Sequence, residues 1–156
     1  MSALEKLAHM QGRRDEVPNQ ELAKDLAARR DKRSIREIAE NLWNKDKHIQ
    51  ADCIKVLYEI GYIKPELIAA YVPDFIKLLS SRINRLVWGA MIALSTVAKV
   101  DAKEIFAHLD KITAAMKDGS VITIDNGVKV LARVASTQEE HSKKIFWKNT
   151  KIKKFY

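Results

Sequence analysis

The chain has 156 residues and a formal net charge of +8; 47% of its residues are hydrophobic, 31% are charged, and only five Gly and three Pro interrupt them. So few helix-breaking residues in a sequence with periodic hydrophobic residues exclude a disordered chain and argue against a sheet protein. They predict an all-helical globular protein. The single cysteine, Cys53, excludes an internal disulfide and is typical of a reducing compartment.

The sequence gives no sign of secretion or of membrane insertion. Its first stretch, MSALEKLAHMQGRRDE, carries charges where a signal peptide needs apolar residues. The longest uncharged run, 86–98, has 13 residues and is too short to span a bilayer. We therefore expect a cytoplasmic protein without a membrane span.

Hydrophobic spacing predicts helices along most of the chain. In order, they are expected near 3–10, 20–30, 32–44, 47–61, 65–80, 84–99, 102–117, 121–135 and 137–149. Pro73 interrupts one of them, although the apolar residues on both sides keep helical spacing. We expect a helix that bends at this proline.

Three segments of the chain align without gaps at a step of 37 residues: IQADCIKVLYEIGYI (49–63), LVWGAMIALSTVAKV (86–100) and TIDNGVKVLARVAST (123–137). The segments before them align at the same step. This repetition predicts a stack of helical hairpins, because one hairpin cannot bury its apolar side alone. The matched columns are Leu57, Leu94 and Leu131; Ile60, Val97 and Val134; Gly61, Ala98 and Ala135; Cys53, Ala90 and Gly127; Ile35, Val72 and Leu109; and Ile38, Phe75 and Ile112.

The stretch LIAAYVPDFIKLLSSRINRLVWGAMIALSTVA resembles a HEAT repeat. In that family a first helix with an internal proline is followed by a short turn and by a second helix with an Ala-x-x-x-Leu seam, seen here as Ala90 and Leu94. The resemblance covers about residues 31–149. The chain departs from the family at one position. Near the start of the second helix, where the family often has an arginine, this sequence has Gln50, Val87 and Ile124.

The resemblance implies an all-α fold, a right-handed α-solenoid of about three HEAT-like hairpins. Residues 1–30 would form an N-terminal helical cap, and the last predicted helix would form a C-terminal half-repeat. Residues 1–149 would then be a single domain, followed by a basic tail over 150–156. The oligomeric state is left open.

In HEAT-like solenoids the second helices line the concave side, so a partner is expected there. Trp88 and Ile92 are spaced i, i+4 and would form a hydrophobic anchor on that side. In the alternative interpretation, Trp88 covers the neighbouring hairpin and extends the core. We expect a non-catalytic scaffold that binds a protein or peptide, with a rim formed by Lys55, Tyr58, Asp125 and Lys129.

Nucleic-acid binding is the alternative function that the charge distribution favours. Residues 141–156 hold six lysines and no acidic residue, whereas the rest of the chain is nearly neutral. Lysines interleaved with aromatic residues suit single-stranded nucleic acid or an anionic membrane surface. Alternatively, Ile145, Phe146 and Trp147 cap the last hairpin. The lysines expected to contact nucleic acid in this alternative, called the tail lysines, are Lys148, Lys151, Lys153 and Lys154.

The sequence contains no motif that argues for an enzyme. It has no zinc-ligand spacing, no glycine-rich phosphate loop and no nucleophile-elbow serine, and we expect no cofactor and no metal. HEAT-like DNA alkylation-repair glycosylases are the enzymatic alternative, because Trp88, Asp125 and Arg133 fall on the predicted concave face. Against it, those enzymes have strongly basic grooves, and Ile92 stands where they have an aspartate.

Overall fold

The structure is a computed structural model that describes residues 1–137. Regular structure in this range consists of α-helices and 3-10 turns, without a strand. The chain divides into two compact units: unit 1 is Met1–Tyr71 and unit 2 begins at Val72. Unit 1 contains α1 (Val17–Arg29), α2 (Lys32–Glu40) and α3 (Lys47–Ile63); the described part of unit 2 contains α4 (Val72–Leu78), α5 (Asn84–Val97), α6 (Ala102–Ala107), α7 (Leu109–Lys117) and α8 (Val121–Ala135).

The 37-residue repeat is visible in the helix boundaries. Helices α3, α5 and α8 begin at residues 47, 84 and 121, and α4 and α7 begin at 72 and 109, all at a step of 37. The aligned leucines Leu57, Leu94 and Leu131 are 0%, 0% and 1% exposed. The predicted repeat is therefore confirmed in both the helix positions and the core residues.

Unit 1 is organised around α3. Helices α1 and α2 both pack against it, and residues 51–58 of α3 are all buried. The starts of α2 and α3 are fixed by aspartates: Asp31 accepts the backbone N–H of Ser34 at 3.1 Å, and Asp46 accepts that of His48 at 2.8 Å. Each cap gives an acceptor to an N–H that has none inside the helix, which stabilises a helix by about 1 kcal/mol.

Near the N-terminus the structure has two 3-10 turns, Leu4–Lys6 and His9–Gln11, so the continuous helix expected over residues 3 to 10 is wrong. Polar contacts hold this segment on unit 1. The backbone N–H of Ala8 donates to Oδ1 of Asn19 at 3.0 Å, and that of His9 donates to Oδ2 of Asp52 at 2.8 Å. Nδ2 of Asn19 donates to the other Asp52 oxygen at 2.9 Å. These partners replace the hydrogen bonds that a helix would have made.

In unit 2, α5 packs against α4 and α8, while α6 and α7 pack against α8. The approach of α7 to α8 depends on Gly127. A Cβ atom at this position would lie 2.5 Å from both Cγ and Sδ of Met116, which is 2% exposed. The glycine thus lets the two helices pack closely.

The single helix predicted over 65–80 is wrong. Two 3-10 turns, Pro65–Leu67 and Ala69–Tyr71, come first, and α4 begins at Val72. Pro73 is therefore in the first turn of a helix and not in the middle of a bent one. Its missing N–H has no consequence there, because the first N–H groups of a helix have no intrahelical acceptor.

Other predicted boundaries also change. The helix expected over 102–117 is divided into α6 and α7 at His108, and the one expected over 32–44 ends at Glu40, followed by a 3-10 turn. The helix predicted over 137–149 and the tail over 150–156 lie outside the described residues. No helix of the described range combines the length and the apolar character that crossing a membrane requires.

Candidate protein-binding surface

The six residues predicted to contact a partner lie on the second helices of the repeats. Their exposure differs from one helix to the next, which changes the predicted site. They are Lys55 and Tyr58 on α3, Trp88 and Ile92 on α5, and Asp125 and Lys129 on α8.

Lys55 and Tyr58 are buried in unit 1, each 6% exposed, so their predicted place on a solvent-facing rim is wrong. Nζ of Lys55 lies 2.8 Å from a carboxylate oxygen of Glu59, 3.4 Å from one of Glu16, and 4.9 Å from the centre of the Tyr58 ring. Burial alone would lower the pKa of Lys55, but hydrogen bonds to Glu59 and Tyr58 outweigh it and raise that pKa. Lys55 is thus a charged ammonium whose charge is already compensated by carboxylates of the same unit.

Helices α5 and α8 of unit 2 carry the other four residues. The two helices are connected by Arg133, whose Nη1 donates to the carbonyl oxygen of Ser95 at 2.6 Å. The hydroxyl of Ser95 in turn donates to the carbonyl oxygen of Ile92 at 2.6 Å. Arg133, one of the three residues of the glycosylase alternative, is therefore engaged in holding the two helices together.

The predicted anchor of Trp88 and Ile92 is only partly at the surface. Ile92 is 7% exposed and belongs to the core of unit 2, so its assignment to an exposed anchor is wrong. Trp88 is partly exposed. An apolar side chain that is already buried has little surface left to offer a partner.

One side of α8 is exposed and largely apolar; we call it the α8 face. It consists of Val121, Ile122, Asp125, Val128 and Lys129. The exposed fractions of Val121, Ile122 and Val128 are 73%, 43% and 48%. Asp125 and Lys129 lie one helical turn apart among these apolar residues.

The repeat alignment shows why this exposure is unusual. Val128 corresponds to Ile54 and Met91, which are 1% and 0% exposed. Lys129 corresponds to Lys55 and Ile92, which are also buried. The same side of the second helix is therefore used for packing in two repeats and is exposed in the third.

Sequence reasoning missed the apolar part of the α8 face, although a signal was present. Val121 aligns with Lys47 and Asn84, and Ile122 aligns with His48 and Arg85. Polar residues in two repeats indicate an exposed column. Apolar residues in the same column of the third repeat then indicate an apolar surface.

The described residues 1–137 include three histidines and one cysteine, side chains that metal sites and nucleophiles often use. This range contains no group of three or more His, Cys, Asp or Glu side chains placed to hold a metal ion. Cys53 is 0% exposed, and burial raises the pKa of its thiol, so it is a buried thiol in the core. The tail lysines of the nucleic-acid alternative lie outside the described residues: Lys148, Lys151, Lys153 and Lys154.

Comparisons with known proteins identify the fold. Neither a known protein-family profile nor a curated protein matches the chain. Solved structures do: a crystal structure of an engineered protein has a TM-score of 0.64 at 21% identity, covering 96% of this chain and 69% of that one. A crystal structure of computationally designed armadillo repeat proteins for modular peptide recognition has a TM-score of 0.64 at 15% identity, covering 94% of this chain and 69% of that one. The chain has an armadillo/HEAT-like helical repeat fold.

The armadillo/HEAT-like fold accounts for the repeated hairpins and confirms the predicted resemblance and the all-α fold class. In such folds each hairpin packs on its neighbours, so stability is spread along the repeats. At identities of 21% and 15% the likeness concerns the fold alone.

Proposed function

We propose that the chain is a non-catalytic helical-repeat scaffold that binds a protein or peptide through the α8 face. The observation that carries this proposal is the exposure of Val128, whose counterparts in the two preceding repeats are buried. Val128, Val121 and Ile122 together offer an apolar surface of the kind that marks interaction sites on soluble proteins.

The charged residues of the α8 face would give a partner orientation. Asp125 and Lys129 are exposed and one turn apart, so a partner helix or strand with the opposite order of charges would be preferred. The apolar residues beside them would supply most of the affinity, since a fully buried valine or isoleucine contributes about 1.5–3 kcal/mol.

The structural neighbours support a peptide as the first partner to test, because designed armadillo repeat proteins recognise peptides in a modular way. Trp88 stays a predicted contact residue on α5. Lys55, Tyr58 and Ile92 are left out of the proposed surface, because their side chains are already buried.

Val128→Asp tests the proposal, and Val100→Asp is its matched control. Val100 is 49% exposed, against 48% for Val128, and it lies outside α8. Both variants should fold, because neither side chain is in the core. Proteins captured from a native lysate by the parent chain should also be captured by the Val100 variant. Their recovery on the Val128 variant should fall by about tenfold or more, the cost of placing a carboxylate in an apolar contact.

The same experiment separates protein binding from nucleic-acid binding. Nuclease treatment and moderate salt should leave capture through the α8 face unchanged, whereas contacts of lysines with phosphates weaken steeply with salt. Equal capture by the two valine variants, or loss of all capture after nuclease treatment, would contradict the proposal.

A further inference from the structure

A pocket of about 380 Å³ opens in unit 2, between the turn that joins α4 to α5 and the helix α7. Neither the resemblance nor the proposed function involves it. Its polar lining comes from both sides. The turn and the start of α5 contribute Ser80, Ser81, Arg82 and Asn84; α7 and the residue after it contribute Lys111 and Asp118.

Most of the polar groups at this pocket are hydrogen-bond donors. Within residues 1–137, neither Arg82 nor Lys111 has an ion pair or a side-chain hydrogen bond. Oγ of Ser81 accepts the backbone N–H of Ile83 at 3.1 Å, so the hydroxyl hydrogen of Ser81 stays available to a ligand. Among the described residues, Asp118 is the one carboxylate of the lining.

The distribution of polar and apolar groups indicates the chemistry of a ligand. A guanidinium presents paired N–H groups that match the two oxygens of a carboxylate or phosphate, and an ammonium adds a second positive charge. The pocket also has an apolar part, formed in part by Leu79 and Val87. It therefore suits a molecule that carries both an anionic group and a short apolar group.

We propose that this pocket binds a small organic oxyanion, whose carboxylate or phosphate group is held by Arg82 and Lys111. The apolar group of the ligand contacts Leu79 and Val87. Asp118 opposes binding of the anion, so its negative charge lowers the affinity.

The test is a titration of the ¹⁵N-labelled chain with three probes at constant ionic strength, followed by amide chemical shifts. Phenyl phosphate and benzoate share a ring and differ in their anionic group. Inorganic phosphate has no ring. Saturable shifts at the amides of Ser81, Arg82 and Asn84 are expected for phenyl phosphate or benzoate. The probe with the higher affinity shows whether the pocket prefers a phosphate or a carboxylate. Inorganic phosphate should bind more weakly than phenyl phosphate, because it cannot contact the apolar part of the pocket.

Variants decide whether the pocket is responsible. Arg82→Gln and Lys111→Gln should each weaken binding by about fivefold, the size of one exposed ion pair. Asp118→Asn should strengthen it by about two- to fivefold, an effect that a merely structural residue would not give. Arg85→Gln is the matched control, since Arg85 is exposed on the first turn of α5 and does not line the pocket. Shifts that do not saturate with either ring-bearing probe, or equal affinities in the Arg82 and Arg85 variants, would overturn the proposal.

Discussion

Replacing Leu94 with alanine should lower the free energy of unfolding by about 3–4 kcal/mol. The side chain is 0% exposed, and the change removes three carbon groups, each of which contributes about 0.8 kcal/mol when buried. The cavity left behind adds about 1 kcal/mol. The hydrogen bond from Arg133 to the Ser95 carbonyl oxygen links α5 and α8, so the two helices cannot easily move together to fill the lost volume.

Urea denaturation followed by far-UV circular dichroism measures this loss. Leu131→Ala, at the aligned position of α8 and 1% exposed, should give a loss of similar size. Val100→Ala is the control: Val100 is 49% exposed, so the change should stay within about 0.5 kcal/mol. A Leu94 variant as stable as the parent chain would show that the aligned leucines do not form the core between these helices.

Three further changes follow from specific contacts. Glu59→Ala should lower the urea midpoint more than Lys55→Met does, because it removes the nearest carboxylate and leaves a buried ammonium with Glu16, at 3.4 Å; equal midpoints would contradict this. Gly127→Ala should lower the melting temperature, because the new methyl group would displace the adjoining methionine of α7; an unchanged temperature would show that this methionine moves freely. The backbone N–H of Ser34, and then its hydroxyl, lower the pKa of Asp31 from 3.8, so the cap stabilises α2 above that pH and is lost as pH falls through the lowered pKa. Asp31→Ala should therefore be less stable than the parent at neutral pH and equally stable in strong acid; a constant difference in urea midpoint across this range would contradict the cap's role.

The sequence predicts the repeat well, because the packing that repeats also repeats its residue types. Leu57, Leu94 and Leu131 are identical, and all are buried. The starts of α3, α5 and α8 keep the same step. The first helices of the hairpins are less predictable, because a 3-10 turn and an α-turn can carry the same apolar spacing, as residues 65–71 show.

The candidate surface is harder to predict, because exposure depends on tertiary contacts. Eight consecutive residues of α3, 51–58, are buried, and they include the polar residues Asp52 and Lys55, so polarity in this helix does not mark a solvent-exposed side. Lys55 suggests such a side, but it is neutralised in part by Glu16, which precedes α1. Hydrophobic periodicity does not reveal a contact between residues so far apart in the chain.

One side of the second helix is buried in two repeats and exposed in the third, and the proposed function depends on this difference. Thiol labelling tests it directly, with single cysteines placed at Ile54, Met91 and Val128 in a chain that carries Cys53→Ala. The cysteine at 128 should react with a maleimide nearly as fast as an unfolded peptide does. Those at 54 and 91 should react at least about a hundredfold more slowly, since they need local unfolding first. Equal rates at the three positions, or protection at 128, would contradict the account.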